Sequence, residues 1–303
     1  MNPATDVIWA DWPAPAGIRA GTTRRTGGVS GPPYESLNLG DHVGDRHEAV
    51  ALNRARLVET LALPSAPAWL RQVHGTRVID LDQETGAGIE ADAAVSRDPA
   101  RVLVILTADC LPVVFCNADG TTLGAAHAGW RGLAAGVLEA TIQAMDCPPG
   151  QLMAWLGPAI GPTRFEVGAD VRAAFVDHHS DDHAAFREGR RPGKFLADIY
   201  TLARARLRRA GVINVTGGEH CTIRDRGFFS HRRDQGQTDA GIATRGLYDR
   251  VPGLETPVLL GRFDHRQGDA VFDAARRILG FQLYKNLCVV WRHQSIQADQ
   301  RCR

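Results

Sequence analysis

Thr107-Ala-Asp-Cys-Leu-Pro-Val-Val-Phe115, followed by Ala125-Ala-His-Ala-Gly-Trp-Arg-Gly132, decides how this chain is read. The stretches 101–107 and 111–116 are apolar almost without interruption, the pattern of strands covered on both faces. Asn117-Ala-Asp-Gly120 is turn material, and 121–127 returns as a further strand. Cys110 and His127 therefore stand at the ends of what read as adjacent strands. Pro112 has no N–H for a ladder, so a bend or bulge is expected near Cys110. Upstream, 68–74 and 76–81 look like strands split by Gly75, and His74 in Arg71-Gln-Val-His-Gly75 sits at that break.

Thiolate sulfur and imidazole nitrogen are zinc donors, and catalytic zinc sites commonly use three protein ligands with a fourth position left for water or substrate. His74, Cys110 and His127 match that count, although copper and nickel accept the same donors. Spacing alone is weak support, because 36 residues from His74 to Cys110 and 17 more to His127 fit no short zinc-ribbon pattern. A lone Cys after an apolar strand is more often an inert core thiol. Placement favours the site: each of the three lies at a strand end beside Gly, Pro or a turn, where side chains of different strands converge. A Cys–His nucleophilic pair built from the same residues is the alternative chemistry. Asp109 is a candidate for orienting a ligand or for general-base work, although neighbouring strand residues usually face opposite ways. Arg131, Arg232 and Arg233 could clamp an oxyanion such as phosphate, or could form surface ion pairs. Arg25 and Asn38 flank a Gly/Pro/Ser loop and are read either as turn chemistry or as ligand contacts.

Outward from this centre, 8–13 reads as a short strand or turn and 18–24 as a strand entering the loop Thr26-Gly-Gly-Val-Ser-Gly-Pro-Pro33. Apolar periodicity predicts a helix over 45–61, with Asp45 as its N-cap and Pro64 as its stop. Residues 82–92 are polar and read as loop. Further helices are expected from Leu133 to about Met145, over 170–176, over 197–209 with its basic residues on the wet face, and over 269–280. Strands are expected at 152–156 and 212–215, and 287–291 reads as an edge strand. The cluster His178-His-Ser-Asp-Asp-His183 reads as a solvated loop rather than a metal site.

At 303 residues the chain is long enough to bury a core without staples, and its 44% hydrophobic and 23% charged content is that of a globular protein. A net charge of +1 gives no polybasic character, so a small-molecule ligand is expected rather than nucleic acid or a membrane surface. The six cysteines form no C-x-x-C pair, and the N-terminus has no basic-then-apolar signal pattern, so reduced thiols and a cytoplasmic location are expected. No apolar run reaches the roughly 18 residues of a membrane span. The sequence sets no oligomeric state, a monomer being compatible with it.

Arg25-Thr-Gly-Gly-Val-Ser30, Ser36-Leu-Asn-Leu-Gly-Asp-His-Val-Gly-Asp45, Arg71-Gln-Val-His-Gly75, Thr107-Ala-Asp-Cys-Leu-Pro-Val113, His127-Ala-Gly-Trp-Arg-Gly132, Trp155-Leu-Gly-Pro-Ala-Ile-Gly-Pro162 and Phe228-Phe-Ser-His-Arg-Arg-Asp234 together resemble the YfiH-type laccase-domain family. The resemblance runs in order from about residue 8 to 238. It implies an α/β fold, a four-layer α-β-β-α mixed β sandwich, with zinc held by His74, Cys110 and His127, copper being the alternative metal. It also implies purine nucleoside phosphorylase activity on adenosine, inosine and methylthioadenosine, in some members with adenosine deaminase activity. Other assignments in the family are copper-dependent polyphenol oxidase and peptidoglycan-precursor editing; a structural zinc module is the non-enzymatic alternative. The first reading takes His74, Cys110, His127 and Asp109 as catalytic, and Arg25, Asn38, Arg131 and Arg232 as contacts for substrate or phosphate. Family chains usually continue after the Arg-Arg-Asp segment with Thr-Gly-Arg and a short apolar strand. Here Gln237-Thr-Asp-Ala-Gly241 follows instead. Two segments are accordingly expected: 1–239, a catalytic domain, and 240–303, an atypical C-terminal extension arising naturally or from an altered reading frame. In this reading 287–291 stands in for the missing terminal strand.

Overall fold

The computed structural model describes residues 6–84, 88–234 and 285–293. Strands β1 (Val7–Trp9) and β2 (Ile18–Thr23) precede helix α1 (His47–Thr60), and strands β3 (Val78–Asp80), β4 (Ala93–Ser96), β5 (Leu103–Thr107), β6 (Leu111–Asn117) and β7 (Leu123–Ala128) follow. Helices α2 (Trp130–Ala135) and α3 (Val137–Met145) lead to β8 (Leu152–Leu156), β9 (Glu166–Gly168) and α4 (Ala169–Val176). Then come β10 (Phe186–Glu188), β11 (Lys194–Ala197), α5 (Ile199–Arg209), β12 (Asn214–Gly217), the short α6 (His231–Asp234) and β13 (Asn286–Arg292). The helix expected over 269–280 and the texture change at 240 lie outside the described residues.

Side-chain alternation along the strands generates the layers. In β6, Leu111, Val113 and Phe115 join a core with Leu133 of α2, Leu138 and Ile142 of α3, Phe175 of α4 and Leu202 of α5. The intervening Val114 and Cys116 face the other way, against Leu103 and Ile105 of β5 and Cys288 and Val290 of β13. Those two strands in turn send Val104, Leu106, Leu287, Val289 and Trp291 to a third core that includes Leu57 of α1. A six-stranded sheet in the order β12-β8-β6-β7-β4-β3 thus packs on a four-stranded sheet in the order β1-β2-β13-β5, with helices on both outer faces. The larger sheet is mixed, with β12–β8 and β3–β4 parallel. This is the four-layer α-β-β-α sandwich. A separate three-stranded sheet, β10-β11-β9, lies apart from the sandwich strands.

β13 departs from expectation in place but not in type. It is an interior strand, antiparallel to both β2 and β5, with Cys288 opposite Thr22 on one side and Ile105 on the other. Six consecutive residues, Asn286 to Trp291, are buried, so no exposed face exists from which alternation could be read. The expected strand over 68–74 is instead a loop that makes isolated bridges at Ala68 and Arg71. Asp45 does not cap α1: its carboxylate takes Ser30 Oγ at 2.6 Å and Asn38 Nδ2 at 3.0 Å, and Arg46 occupies the cap position. The helix expected from Leu133 to about Met145 starts earlier, at Trp130, and breaks in two at Gly136, whose φ of +102° suits glycine. The His178–His183 stretch ends in a 3-10 turn in which buried Asp182 pairs with Arg209 at 2.8 Å, so it is tied down rather than solvated throughout.

Because β13 bonds to both neighbours, its truncation should weaken the whole domain. Leu287→Ala is expected to cost about 2–5 kcal/mol in urea unfolding. Ile213→Ala, at a side chain 73% exposed, should stay within about 0.5 kcal/mol. Equal midpoints for the two variants would count against an interior β13.

Candidate metal centre

Two turns deliver the ligand set, and both use a left-handed backbone at a residue other than glycine. His74 has φ +64° and Asp109, immediately before Cys110, has φ +89°. Such conformations cost of order 1–3 kcal/mol and persist where the surroundings over-determine them. Asp92 does so at His74: its buried carboxylate accepts from the amides of Val73 at 3.1 Å, His74 at 2.9 Å and Gly75 at 2.7 Å. Asp109 is tied through Thr222 Oγ1 at 2.5 Å, the Arg232 amide at 2.8 Å and its own carbonyl, which takes the Ile160 amide at 2.9 Å. The bend expected from Pro112 therefore falls at Asp109, while Pro112 itself sits inside β6 opposite His127.

These turns, with the end of β7, gather His74, Cys110 and His127 so that one ligand atom from each lies within 4.8 Å of the others. Cys110 Sγ is 3.7 Å from His74 Nε2. Zinc bonds of about 2.3 Å to sulfur and about 2.0 Å to nitrogen at a tetrahedral angle would separate the two donors by about 3.5 Å. His127 donates Nδ1–H to Asp92 at 2.8 Å, which fixes the tautomer and turns Nε2 toward the cluster. That Nε2 is buried and has no hydrogen-bond partner. Gly129 keeps the space open, since a Cβ there would come within 3.0 Å of both Cys110 Sγ and His74 Cδ2. An orphaned buried nitrogen, a thiol and a second imidazole around a glycine-lined gap fit a bound metal ion.

Electrostatics agree with the donor assignment. Burial opposes ionisation of the Cys110 thiol, but His127 and His74 more than offset it and hold its pKa well below the ordinary thiol value. Burial likewise disfavours a charged His127, yet the Cys110 thiolate and Asp92 raise its pKa. Asp92 is lowered despite its burial, through His127 and the backbone amides. Cys116 and Cys288 show the inert alternative, each pushed up to about 12 by burial.

The cluster opens on a cavity of about 210 Å³ whose walls include Asp109, Arg131, Phe165, His231, Arg232 and Lys285. Arg131 and Arg232 thus line the same space as the candidate ligands His74 and Cys110. The Arg232 guanidinium stacks 5.2 Å from the Phe165 ring centre and donates to the Glu166 carbonyl at 2.6 Å. Asp109 lines the cavity with both carboxylate oxygens already accepting hydrogen bonds. Arg233 is turned away, donating to the carbonyls of Thr222 and Phe228. Arg25 lies in a separate groove of about 560 Å³ beside Pro32 and Arg226, with its Nε on the Glu35 carbonyl at 2.7 Å. Asn38 is buried in its own loop, exchanging hydrogen bonds with Gly40 at 3.1 Å in both directions. Three residues of the centre escaped the sequence reading. Asp92 falls at the end of a stretch read as loop, its one signal being a lone acid inside Ala91-Asp-Ala-Ala-Val95. His231 stood unremarked between Ser230 and the arginines, and Lys285 lies after the change of texture.

The fold and the cavity define an α/β sandwich whose His74, Cys110 and His127 form a group that could hold a metal ion. A family model described as multi-copper polyphenol oxidoreductase laccase matches residues 19–244. A Pseudomonas aeruginosa protein named purine nucleoside phosphorylase is 53% identical over 224 residues, 74% of this chain and 91% of that one. An Escherichia coli relative, purine nucleoside phosphorylase YfiH, is 51% identical over 230 residues, 76% of this chain and 94% of its own. The crystal structure of a Neisseria meningitidis protein superposes with a TM-score of 0.76 at 41% identity, covering 95% of this chain and 99% of that one. The chain belongs to this laccase-like YfiH family.

If Asp92 sets the tautomer of His127, Asp92→Asn should weaken zinc binding about 10- to 100-fold in competition with a chromogenic chelator. An unchanged zinc affinity would reduce Asp92 to a brace for the His74 loop alone.

Proposed function

We propose that this protein is a purine nucleoside phosphorylase acting on adenosine, inosine and methylthioadenosine at a zinc site held by His74, Cys110 and His127. The observation that carries the reading is the meeting of a metal-ligand set, cationic side chains and aromatic walls in one small cavity. The cavity encloses about 210 Å³. Close relatives named purine nucleoside phosphorylase point the same way. In the reaction a phosphate oxygen bonds to the ribose anomeric carbon, the carbon–nitrogen bond to the base breaks, and the base leaves with that electron pair and a proton. Arg131 and Arg232 hold the phosphate, since its charge needs cationic donors that are already in place. Phe165 and Trp130 give the base apolar, flat surfaces. A metal held by His74, Cys110 and His127 would supply Lewis acidity, the chemistry that deamination of adenosine in the same pocket would also draw on. Asp109, with both oxygens engaged, orients Thr222 and the Arg232 backbone rather than taking a proton. Arg25 and Asn38 act on the site through the loops they hold. The substrates are small molecules, the setting is the cytoplasm, and no nucleic acid or membrane partner is involved.

Copper-dependent phenol oxidation is the second reading, favoured by the family description itself. Four-electron reduction of oxygen draws on several copper ions, whereas the described residues contain one metal-ligand group, with three donors. Metal analysis of protein purified without added metal separates the readings: stoichiometric copper with phenol turnover would put the oxidase first. Base release from inosine should require phosphate, and phosphate-independent release would remove the phosphorylase reading. Cys110→Ala is expected to abolish turnover with the melting temperature nearly unchanged; a collapse of the fold would instead indicate a structural metal. Arg232→Ala should raise the phosphate KM about 10- to 150-fold, the range for a lost hydrogen bond to a charged group.

A further inference from the structure

Lys285 enters the metal cavity from a part of the chain far in sequence from the other wall residues. It lies immediately before β13, only 7% exposed, and lines the same space as Cys110, Arg131, His231 and Arg232. Two independent features fix its origin. Asn286 clamps the start of β13 to Phe229, accepting the Phe229 amide at 2.8 Å and donating to the Phe229 carbonyl at 2.9 Å, both bonds buried. On the other side the Lys285 stem lies against Gly40, where a Cβ would stand 2.9 Å from Lys285 Cγ and 3.2 Å from Val43 Cγ1. Gly40 is held in turn by Asn38, whose amide and carbonyl both bond its backbone at 3.1 Å. The loop Ser36-Leu-Asn-Leu-Gly-Asp-His-Val43, whose residues have no place on the cavity wall, thus has a use as a bed for this side chain.

We infer that Lys285 is a binding residue for the anionic substrate, its ammonium joining Arg131 and Arg232 around phosphate, with Gly40, Asn38 and Asn286 as its positioning residues. The inference deepens the phosphorylase reading and rests on it for the identity of the anion. Lys285 shares its stretch of cavity wall with His231 as well as with the two arginines. His231 has a buried Nδ1 without a hydrogen-bond partner and lines the same space. A doubly charged phosphate beside a lysine, two arginines and the metal ligands meets cations from separate segments of the chain. Lys285, from beyond residue 240, therefore shares this cavity wall with residues of the preceding segment.

The test uses the full-length, zinc-loaded protein and inorganic phosphate as the probe, read by calorimetric titration and by the phosphate KM for inosine cleavage. Lys285→Met should weaken phosphate binding at least tenfold and raise the phosphate KM by a similar factor with a smaller change in kcat, and Lys285→Arg should recover most of both. Gly40→Ala, which leaves the ammonium in the chain but crowds its stem, should reproduce part of the loss without lowering the melting temperature. If Lys285→Met fails to fold, Gly40→Ala and Lys285→Arg still decide. Wild-type affinity retained in Lys285→Met, or in Gly40→Ala when the methionine variant does not fold, overturns the assignment, as does a wild-type protein that binds no phosphate. Phosphate binding that depends on Lys285 in a protein that does not cleave nucleosides would keep the anion site and remove the phosphorylase reading alone.

Discussion

Asp92 accepts four hydrogen bonds within a carboxylate that has no solvent exposure, three from the consecutive amides of Val73, His74 and Gly75 and one from His127 Nδ1. Burying a carboxylate costs several kcal/mol. Charge-assisted hydrogen bonds return about 1.5–3 kcal/mol each. The balance lies on the ionised side, because the group stays easier to ionise than an ordinary aspartate although burial pushes the other way. One side chain thereby joins a loop to a strand. It holds the left-handed turn that presents His74 and orients the ring that presents His127, and removing its charge would loosen both at once.

The layers around this carboxylate provide the burial it needs. Asp92 directly precedes β4, which pairs with β7, and the His127 amide donates to the Asp92 carbonyl at 2.7 Å, so backbone and side chain lock the same two elements. β6 and β7 pair from Leu111 opposite Ala128 onward, which brings Cys110 beside the end of β7 that carries His127. Helices α2 to α5 cover one face of that sheet and the smaller sheet covers the other. β13 is central to the smaller sheet, and Lys285 at its start forms part of the cavity wall. Fold stability and site geometry are therefore coupled through one strand.

The laccase-like family description and the phosphorylase names borne by close relatives attach different chemistries to one scaffold. A Lewis-acidic ion beside fixed cations serves attack by phosphate on a sugar carbon, whereas oxygen reduction asks for an ion that changes oxidation state. Two imidazoles and a thiolate admit either metal. Beside that ligand set the cavity wall carries Arg131, Arg232 and Lys285.

Several features were determined by the sequence alone. Continuous apolar runs at 101–107 and 111–116 announce strands buried on both faces, and Cys110 and His127 are named by residue type and by their places at strand ends, whereas His74 is named by type although its stretch is a loop. The ordered motifs give the four-layer sandwich. Other features were decided only by the tertiary structure, because they depend on contacts between segments far apart in the chain. A buried strand has the same apolar run whether it lies at the edge or in the centre, so the place of β13 between β2 and β5 could not be read from its residues. Asp92 looks like any loop acid until three amides and an imidazole close around it. Lys285 is one lysine among 35 basic residues until the Phe229–Asn286 clamp and the missing Cβ of Gly40 carry its stem to the metal cavity.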